Sequence, residues 1–371
     1  CYYHAYENNL MIKNVVFRNF RNYSTCEIEV QEKNNVLIGP NGQGKTNFLE
    51  AIYYMSYMRS FRKSSDRELI PHGGEHYYFK GEFENEQADI IEVGYDKKVK
   101  NIKIDGEKQK SILNSVGKIN VILFSDIDIE LLHSGPLARR TYLDTTLSIV
   151  DENYLYALYN YKKVLKMRNA AIRNYLDRKG NENSVKAWDP GLLKYGCELI
   201  KKRMEFVSEV SLICKDIYPV FTKGKLDMKL SYSTSIDLNK DIQYSFNEQL
   251  SKNWSTDIKK GSTTIGPHRD EILIKDKNRT LKKYTSKGQA RAAVLILRLA
   301  QMKYIEKEKS CKSILLLDDV LLDLDNENKQ NFLTILGNER QCFFTATSNK
   351  EVIDIDAAFY NVNSGNITIS K

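Results

Sequence analysis

One stretch of this 371-residue chain decides its fold: Val36-Leu37-Ile38-Gly39-Pro40-Asn41-Gly42-Gln43-Gly44-Lys45-Thr46. It contains the spacing Gly-x-x-x-x-Gly-Lys-Thr directly after an apolar strand and at the start of a helical pattern, where a phosphate-binding loop lies. The glycines allow successive backbone N–H groups to turn toward the phosphates, and the helix N-terminus adds a partial positive charge. The stretch therefore predicts a site for a nucleoside triphosphate.

The side chains of this loop have expected roles. Lys45 reaches the β and γ oxygens of the triphosphate, and the Thr46 hydroxyl binds Mg²⁺. The residues of this segment expected to contact ATP are Gly39, Pro40, Asn41, Gly42, Gln43, Gly44, Lys45, Thr46 and Asn47. A phosphate loop alone indicates only that a nucleoside triphosphate binds, so the class of ATPase must come from other motifs.

Two carboxylates follow a run of aliphatic residues in Ile314-Leu315-Leu316-Leu317-Asp318-Asp319. Such a run is typical of a buried strand, and a strand beside the phosphate loop would place Asp318 on the water shell of the metal. Asp319 then lies where a base could polarise the attacking water. We therefore expect Lys45, Asp318 and Asp319 to be catalytic, and Thr46 and Asp318 to hold Mg²⁺. Two solvated acids at the end of a strand are the alternative.

A third motif, Ser286-Lys287-Gly288-Gln289, stands at the start of an apolar helix. Its serine hydroxyl and glycine backbone form a second anion site, with Ser286, Gly288 and Gln289 as expected nucleotide contacts. One ATP rarely needs two such sites from one chain. The motif is therefore expected to close over the nucleotide held by a second copy, in a twofold homodimer. An ordinary helix cap would have the same sequence.

The positive charge of the chain is concentrated in one segment. The chain has 56 Lys and Arg against 48 Asp and Glu, a net charge of +8, and residues 160–206 hold 12 basic and 5 acidic residues. A concentrated positive field attracts polyanions, and phosphate neutralisation supplies most non-specific affinity for DNA. The expected DNA contacts are Lys162, Lys163, Lys166, Arg168, Arg173, Lys201, Lys202 and Arg203. A solvated helix face is the alternative.

The apolar pattern predicts a mixed α/β fold that is helical in the middle of the chain. Residues 76–83, 88–96 and 98–104 resemble an antiparallel meander. Two sets of residues then recur at helical spacing: Tyr154, Leu158, Tyr161 and Leu165, followed by Leu193, Cys197, Ile200, Met204 and Val207. The turn between the two helices is expected at Asn181 to Asn183 and at Trp188-Asp189-Pro190-Gly191.

These patterns predict an ATPase lobe formed by residues 11–136 and 219–371, with a helical lobe of residues 137–218 inserted between them. Residues 1–10 are expected to lie outside the fold. The six cysteines include no Cys-x-x-Cys pair, which indicates reduced thiols and a cytoplasmic location. The apolar runs are shorter than the roughly 20 residues of a membrane span, so no membrane attachment is expected.

The order of these motifs resembles the ABC-type ATPases and, more closely, the RecF family of bacterial recombination mediators. Further segments that resemble this family are Phe20-Arg21-Asn22-Tyr23, Ser60-Phe61-Arg62, Arg139-Arg140-x-x-Leu143-Asp144 and Thr264-x-Gly266-Pro267-His268-Arg269-Asp270. The resemblance implies an ABC-type head that uses ATP and Mg²⁺, dimerises on ATP and binds single-stranded, double-stranded and gapped DNA. It also implies action with RecO and RecR in loading the RecA recombinase, and slow hydrolysis that resets the dimer.

The resemblance also brings two site residues and several departures. Arg62 is expected to contact a phosphate, and Asp325 is retained from the family's aspartate loop, although Leu322 replaces its usual serine. Ordinary ABC ATPases have Glu at the position of Asp319. The shorter carboxylate would lie farther from the water, and a misplacement of ~1 Å can cost ~10²-fold in rate, so slow turnover is expected. No glutamine marks a lid near residues 124–126. His268, Arg269 and Asp270 are interpreted as a structural cluster, and the alternative, which the resemblance and the following strand suggest, is a position near the dimer face.

Other classes of ATPase fit less well. Chromosome ATPases of the long coiled-coil type need hundreds of heptad residues, which an insert of about 80 residues does not provide. A transporter subunit would need a membrane partner, and a related ATP-dependent nuclease would carry an added acidic metal domain. An SMC-like or transporter-type ABC ATPase with a different partner is the alternative.

Overall fold

The computed structural model describes residues 10–84, 87–222, 228–277, 279–281, 286–348 and 356–369. Residues 1–9, most of the segment expected outside the fold, lie beyond this range. Leu10 is only 2% exposed and packs in the core, so it was wrongly assigned to that segment.

The strands and helices alternate along the chain. The strands are β1 (Met11–Phe20), β2 (Tyr23–Glu29), β3 (Asn34–Ile38), β4 (Tyr77–Glu84), β5 (Ile90–Tyr95), β6 (Lys100–Ile104), β7 (Glu107–Lys108), β8 (Val121–Ser125), β9 (Met228–Ser233), β10 (Glu271–Asp276), β11 (Arg279–Thr280), β12 (Ile314–Asp318), β13 (Cys342–Ala346), β14 (Ala358–Asn363) and β15 (Asn366–Ile369). The α-helices are α1 (Lys45–Tyr57), α2 (Glu130–His133), α3 (Pro136–Val150), α4 (Glu152–Leu176), α5 (Glu182–Lys186), α6 (Asp189–Thr222), α7 (Ile242–Lys252), α8 (Trp254–Lys260), α9 (Lys287–Lys309) and α10 (Asn326–Leu336).

The chain forms two compact units. The first comprises Cys1–Asp128 and Arg298–Lys371, and the second comprises Ile129–Leu297. The second unit is larger than the helical lobe predicted at 137–218, because β9 packs on α6 and pairs with β10 in a small antiparallel sheet. Residues 219–297 therefore belong with the helices, which corrects their assignment to the ATPase lobe.

A six-stranded sheet of the first unit positions the phosphate loop. Its order is β15-β14-β3-β13-β12-β8, and all its strands except β15 run parallel. The central strands are nearly continuous apolar runs, as expected of parallel strands that are covered on both faces. Because the carboxyl ends of parallel strands meet at one edge, the residues that follow β3, β12 and β13 lie together. This arrangement confirms the predicted α/β fold.

The second sheet of the first unit is antiparallel, in the order β2-β1-β4-β5-β6-β7. The predicted meander is confirmed in β4, β5 and β6, and Asp105-Gly106 forms the turn into β7. The β1–β2 hairpin turns at Arg21 and Asn22, where Arg21 has a φ of 55° and its N–H donates to the carbonyl of Leu69 (2.8 Å). This turn lies beside the phosphate loop.

Helices dominate the second unit, and α4 packs against α6. The stripe predicted on α4 is confirmed at Tyr154, Leu158 and Tyr161, which are buried. On α6 the prediction was partly wrong. Its buried residues include Leu192, Leu199, Ile200, Phe206 and Val207, whereas Leu193, Cys197 and Met204 are half-buried. The cause is a broad contact surface, since α6 also packs on α3, α7 and β9.

The predicted interruption at residues 188–191 was also wrong in part. Helix α6 begins at Asp189 and continues through Pro190. Proline is tolerated in the first turn of a helix because its missing N–H has no partner to lose there.

Two features of composition can be checked in the described ranges. Their five cysteines, Cys26, Cys197, Cys214, Cys311 and Cys342, are free. None of their helices combines the length and the apolar character that crossing a bilayer requires.

Candidate functional site

The phosphate loop joins β3 to α1 and holds Lys45 against its own backbone. The Lys45 ammonium donates hydrogen bonds to the carbonyl oxygens of Gly39 (2.6 Å) and Pro40 (3.1 Å), and the side chain is buried. Asn41 and Gly42 are exposed at the tip of the loop. A buried ammonium needs acceptors, and phosphate oxygens are stronger acceptors than carbonyls. The loop therefore fits a triphosphate.

Gly44 occupies a position that requires glycine. Its φ is 122°, and a Cβ there would lie 2.8 Å from Nδ2 of Asn22. Asn22 and Tyr23 also hold the loop. Asn22 Nδ2 donates to the carbonyl of Gln43 (2.7 Å), and the Tyr23 hydroxyl donates to the carbonyl of Gly44 (3.0 Å). In the sequence, Asn22 and Tyr23 stood out only as part of a segment that resembles the family. In the structure, their side chains hold the phosphate loop in place by hydrogen bonds.

The side chain of Gln43 is held by the last hairpin of the chain. Its Oε1 accepts a hydrogen bond from the backbone N–H of Ser364 (2.7 Å), and the N–H of Gly365 donates to the Gln43 carbonyl (3.0 Å). The loop is thus fixed from both sides, by the β1–β2 turn and by the β14–β15 turn. Such a rigid loop keeps its N–H groups in position before a ligand arrives.

Asp318 lies at the end of β12 and contacts the start of α1. Its Oδ1 accepts hydrogen bonds from the hydroxyls of Thr46 (2.9 Å) and Thr345 (3.0 Å). Burial raises the pKa of Asp318, and the hydrogen bonds from Thr46 and Thr345 partly oppose this shift. A half-buried carboxylate of this kind is stabilised in its charged form by a nearby cation.

Thr46 and Asp318 also fit Mg²⁺, because hydroxyl and carboxylate oxygens are its preferred ligands. In the described part of the chain, no group of three or more His, Cys, Asp or Glu residues could hold a metal ion. Mg²⁺ commonly binds through one or two carboxylates together with substrate phosphates and water. The predicted pair would therefore hold the metal jointly with a nucleotide.

Asp319 is fixed by the same threonine. Its backbone N–H donates to Oγ1 of Thr345 (2.9 Å), whose hydroxyl also lies 3.0 Å from Asp319 Oδ1. The residue has a φ of 55°. Thr345 thus links both carboxylates, and sequence reasoning missed this role because β13 follows β12 only after an intervening helix.

Ser125 lies opposite Asp318 on the neighbouring strand β8. Its hydroxyl is buried and has no hydrogen-bond partner among the described residues. Its backbone N–H donates to Oδ2 of Asp128 (3.0 Å), whose Oδ1 pairs with Arg298. These residues occupy the segment where the sequence offered no lid glutamine.

Arg62 is held beside the first turn of α1. Its Nη1 donates to Oδ1 of Asn47 (2.7 Å) and lies 3.5 Å from Oε2 of Glu50, which has no exposed side-chain surface. Arg21 forms a bidentate pair with the same carboxylate, at 2.8 Å for each hydrogen bond. The positive charge of Arg62 also lowers the pKa of Asp318, against the effect of burial. Arg62 is therefore near the carboxylate of the predicted metal site.

The Ser286 motif lies in the second unit and forms a reciprocal helix cap. The Gln289 N–H donates to Oγ of Ser286 (3.3 Å), and the Ser286 N–H donates to Oε1 of Gln289 (3.1 Å). These residues and Gly288 are exposed, and a Cβ at Gly288 would meet no atom within 4 Å. The cap interpretation is therefore correct for the single chain, and it leaves the motif open to a further ligand.

Asp325 caps α10 in the first unit. Its Oδ1 accepts from the backbone N–H of Asn328 (2.8 Å), and its Oδ2 accepts from Nδ2 of the same asparagine (3.0 Å). The side chain is exposed. The side chain of Leu322 lies outside the described residues.

Two of the predicted DNA contacts are contradicted by burial. Arg168 is 1% exposed and pairs with Asp189 (2.7 Å) and Asp257 (2.8 Å). Arg203 is 2% exposed and pairs with Asp144 (2.6 Å). Both charges are neutralised inside the unit, so they cannot meet a phosphate backbone.

The other six predicted DNA contacts reach solvent. Those with exposed side chains are Lys162, Lys163, Lys166, Arg173 and Lys201. Lys202 pairs with Asp151 (2.8 Å) and keeps 40% of its side-chain surface exposed. The basic surface is therefore smaller than the count of charges in the sequence suggests.

His268, Arg269 and Asp270 belong to the second unit, and His268 is bonded as a neutral ring. One ring nitrogen lies 2.7 Å from the Tyr161 hydroxyl and the other 3.0 Å from the Thr263 carbonyl. Burial lowers the pKa of His268 to about 4. Burial also raises the pKa of Asp270, whose carboxylate accepts from the Tyr232 hydroxyl. These contacts agree with a structural cluster.

Comparison with known proteins identifies the family. Residues 11–370 match the RecF/RecN/SMC N terminal domain. The chain is 34% identical over 365 residues to the DNA replication and repair protein RecF of Natranaerobius thermophilus. The alignment covers 94% of this chain and 95% of that protein. It is 35% identical over 364 residues to RecF of Clostridium novyi, covering 96% and 99% of the two chains.

Solved structures support the same assignment. The recombination mediator protein RecF bound to ATP has a TM-score of 0.91 and 31% identity, with 100% of both chains covered. The Smc head domain of Pyrococcus furiosus, at 16% identity, has a TM-score of 0.55 with 97% of this chain covered, and shares the fold alone. The chain therefore belongs to the RecF/RecN/SMC N terminal domain family, and within it to the RecF proteins, with an ABC-type ATPase fold.

Proposed function

We propose that this chain is an ATP-dependent recombination mediator that dimerises on ATP and binds DNA at gaps in DNA repair and replication restart. With RecO and RecR it helps to load RecA, and slow ATP hydrolysis resets it in the cytoplasm. The observation that carries the proposal is the hydrogen bond between Thr46 and the half-buried Asp318, which joins the phosphate loop to the carboxylate strand. The relatives are DNA replication and repair proteins, and one solved RecF structure contains ATP in the RecFOR pathway.

The described contacts support roles for the residues of the ATP site. Lys45 exchanges its loop carbonyls for phosphate oxygens, while Thr46 and Asp318 hold the metal. Mg²⁺ supplies charge neutralisation for the triphosphate. Arg62, positioned by Asn47, contributes a further positive charge near the phosphates.

Slow hydrolysis follows from the second carboxylate. Asp319 is one methylene shorter than the glutamate of ordinary ABC ATPases, and it is tied to Thr345 on both its backbone and its side chain. A carboxylate held away from the water by ~1 Å can lose ~10²-fold in rate. The slow rate of ATP hydrolysis then sets the lifetime of the dimer.

The second copy completes the site through Ser286, Gly288 and Gln289. Their exposure in the single chain supports this role, because a γ-phosphate from another copy can replace the reciprocal cap. Substituting Ser286→Arg is expected to leave ATP affinity within about twofold of wild type and to abolish the ATP-dependent dimer. Sedimentation velocity with ATP checks this prediction. An undiminished dimer fraction would contradict it.

The whole proposal is tested by measuring oligomeric state with ATP, with ADP and without nucleotide, each with and without gapped DNA. We expect dimers only with ATP, and DNA retention by those dimers. Lys45→Met, which loses the phosphate-binding ammonium, serves as the control that binds no ATP and stays monomeric. A monomer under all conditions would overturn the proposal.

A further inference from the structure

The outer face of α4 carries exposed aromatic residues that the core does not explain. Four tyrosines lie within residues 152–161. Tyr154 and Tyr161 are buried, whereas Tyr156 and Tyr159 are 57% and 53% exposed. Single exposed apolar residues are ordinary. Two tyrosines one helical turn apart, each more than half exposed, form a larger surface.

Basic residues continue the same face. Tyr156, Tyr159, Lys163 and Lys166 are separated by three or four residues, so they lie along one side of the helix. We name the exposed residues of this side the Tyr–Lys face: Tyr156, Tyr159, Lys163, Lys166, Met167 and Arg173. At 1.5 Å per residue the face is about 26 Å long.

Helix α6 extends the aromatic end of this face. The ring of Tyr195 meets that of Tyr156 edge to face, with centroids 6.3 Å apart. The ammonium of Lys194 lies 5.4 Å from the centroid of Tyr195. The combination of ring surfaces and ammonium groups is therefore repeated on the neighbouring helix.

The charge of the face selects an anionic partner. Residues 153–176 contain no Asp or Glu, and Lys163, Lys166 and Arg173 are exposed. Arg168, on the same helix, is buried and paired, so it does not add to this surface. Lysines are depleted in the cores of protein interfaces, where aromatic residues gather. Lysines that continue directly from exposed tyrosines therefore favour a nucleic acid over a protein.

Stacking distinguishes a single strand from a duplex. A duplex presents its phosphates outward while its bases stay stacked inside. Its bases therefore cannot stack on tyrosine rings that are exposed on the side of a helix. A single strand offers unpaired bases, which stack on aromatic side chains while basic residues follow the backbone. We propose that the Tyr–Lys face binds single-stranded DNA, with bases on Tyr156 and Tyr159 and phosphates on Lys163, Lys166 and Arg173. This inference rests on the proposed DNA-binding function and specifies its surface.

The test compares single-stranded and duplex DNA on the full chain with ATP. Fluorescence anisotropy measures affinity for an oligothymidylate of about 12 nucleotides, within the site sizes of single-strand binders, and for a duplex of equal length. Replacing both tyrosines, Tyr156→Ala with Tyr159→Ala, is expected to weaken single-strand binding by about 20-fold or more. Duplex affinity should change by less than about twofold, because phosphate contacts remain.

Three further variants separate stacking from charge and from folding. Tyr156→Phe with Tyr159→Phe keeps the ring faces and should restore single-strand affinity. Lys163→Gln with Lys166→Gln should reduce the slope of log affinity against log salt for the single strand by about 1.4. Tyr244→Ala is the matched control, since Tyr244 is 62% exposed but lies on a different helix, α7, and should change neither affinity.

Specific outcomes overturn the inference. Unchanged single-strand affinity in the double alanine variant would assign the face to another partner, such as a protein. Equal losses on both DNA forms would show that the tyrosines do not stack on bases. If the wild type binds the duplex but not the oligonucleotide, the inference about the Tyr–Lys face fails while the proposed function stands. The proposed function itself fails if no ATP-dependent dimers form. Should the alanine variant not fold, photocrosslinking of the wild type to an iododeoxyuridine oligonucleotide must label Tyr156 or Tyr159.

Discussion

The arginine beside the phosphate loop and two arginines of the second unit are held differently. In the first unit Arg62 keeps 32% of its side-chain surface exposed and donates to the neutral amide of Asn47 (2.7 Å), while the nearest carboxylate, Glu50, lies 3.5 Å away and already pairs with Arg21. In the second unit Arg168 and Arg203 are almost wholly buried and are neutralised by carboxylates. A count of basic residues therefore does not locate a phosphate-binding surface. What decides is whether the guanidinium is buried against carboxylates or still reaches solvent.

The strongest test of this contrast is the removal of a buried arginine. Arg168→Ala leaves Asp257 buried without its cation, and breaking such a pair typically costs about 3–5 kcal/mol. Urea unfolding should show this loss in the free energy of unfolding. Arg173→Ala, five residues along the same helix and exposed, is the control and should change stability by less than about 0.5 kcal/mol. Equal losses in both variants would remove the contrast.

The buried cluster around His268 should give the second unit a pH dependence. Because the folded-state pKa of His268 is lowered to about 4, below its ordinary value, the unfolded chain binds more protons between about pH 6.5 and pH 4. The contribution of His268 to stability is therefore present above pH 6.5 and falls as pH is lowered through this window, by about 2 kcal/mol at pH 5 and about 3 kcal/mol at pH 4. Urea unfolding at pH 7 and pH 5 measures the loss.

The matched variant is His268→Gln, which lacks the titrating ring. The difference in unfolding free energy between wild type and variant should shrink as pH falls. A difference that stays constant with pH would show that His268 titrates normally in the folded protein.

Removing the partly exposed side chain of Arg62 should affect ATP binding more than the stability of the fold. Arg62→Ala is expected to weaken ATP binding by about 10-fold, since hydrogen bonds to charged groups contribute about 1.5–3 kcal/mol at best and this side chain is partly solvated. Isothermal titration with ATP and Mg²⁺ checks the affinity. Arg62→Lys should recover only part of it, because an ammonium lacks the planar fork. A loss of stability without a loss of affinity would place Arg62 with the structural arginines.

The burial of two arginines could have been predicted from the sequence. Arg168 follows Tyr154 and Tyr161 at seven-residue intervals, so it lies on the stripe that the tyrosines define. Arg203 likewise lies four residues after Leu199 and three before Phe206. Charged residues at core positions are normally paired. The partners, such as Asp257, could not be predicted, because they are distant in the sequence and meet only in the folded unit.

The phosphate loop and the strand that ends at Asp318 were predictable because each motif is one continuous stretch of sequence, with the strand or helix that flanks it adjacent in the chain. The bracing by Asn22, the link through Thr345 and the buried Ser125 were not. Their contacts join segments that are about 20 to 190 residues apart, and no local period records such a pairing. The extent of the second unit also escaped prediction, since no local period shows that β9, the element after α6, packs back against that helix.

The smallest effect is expected at a half-exposed ion pair. Lys202 pairs with Asp151 at 2.8 Å and keeps 40% of its side-chain surface exposed, so Lys202→Ala should cost less than about 1 kcal/mol of stability. Its contribution should also weaken in high salt. Urea unfolding of wild type and variant in low and high salt measures both the cost in stability and its dependence on salt. A cost as large as that of Arg168→Ala would contradict the contrast between paired and solvated cations.

A crystal structure of the full chain with ATP and Mg²⁺ would show whether a second copy closes the ATP site. We expect a twofold dimer in which Lys45 and Thr46 of one copy hold the triphosphate. Ser286 Oγ and the Gly288 N–H of the other copy should lie about 3 Å from its γ-phosphate. A structure in which the triphosphate is bound while the Ser286 motif of both copies faces solvent would contradict it.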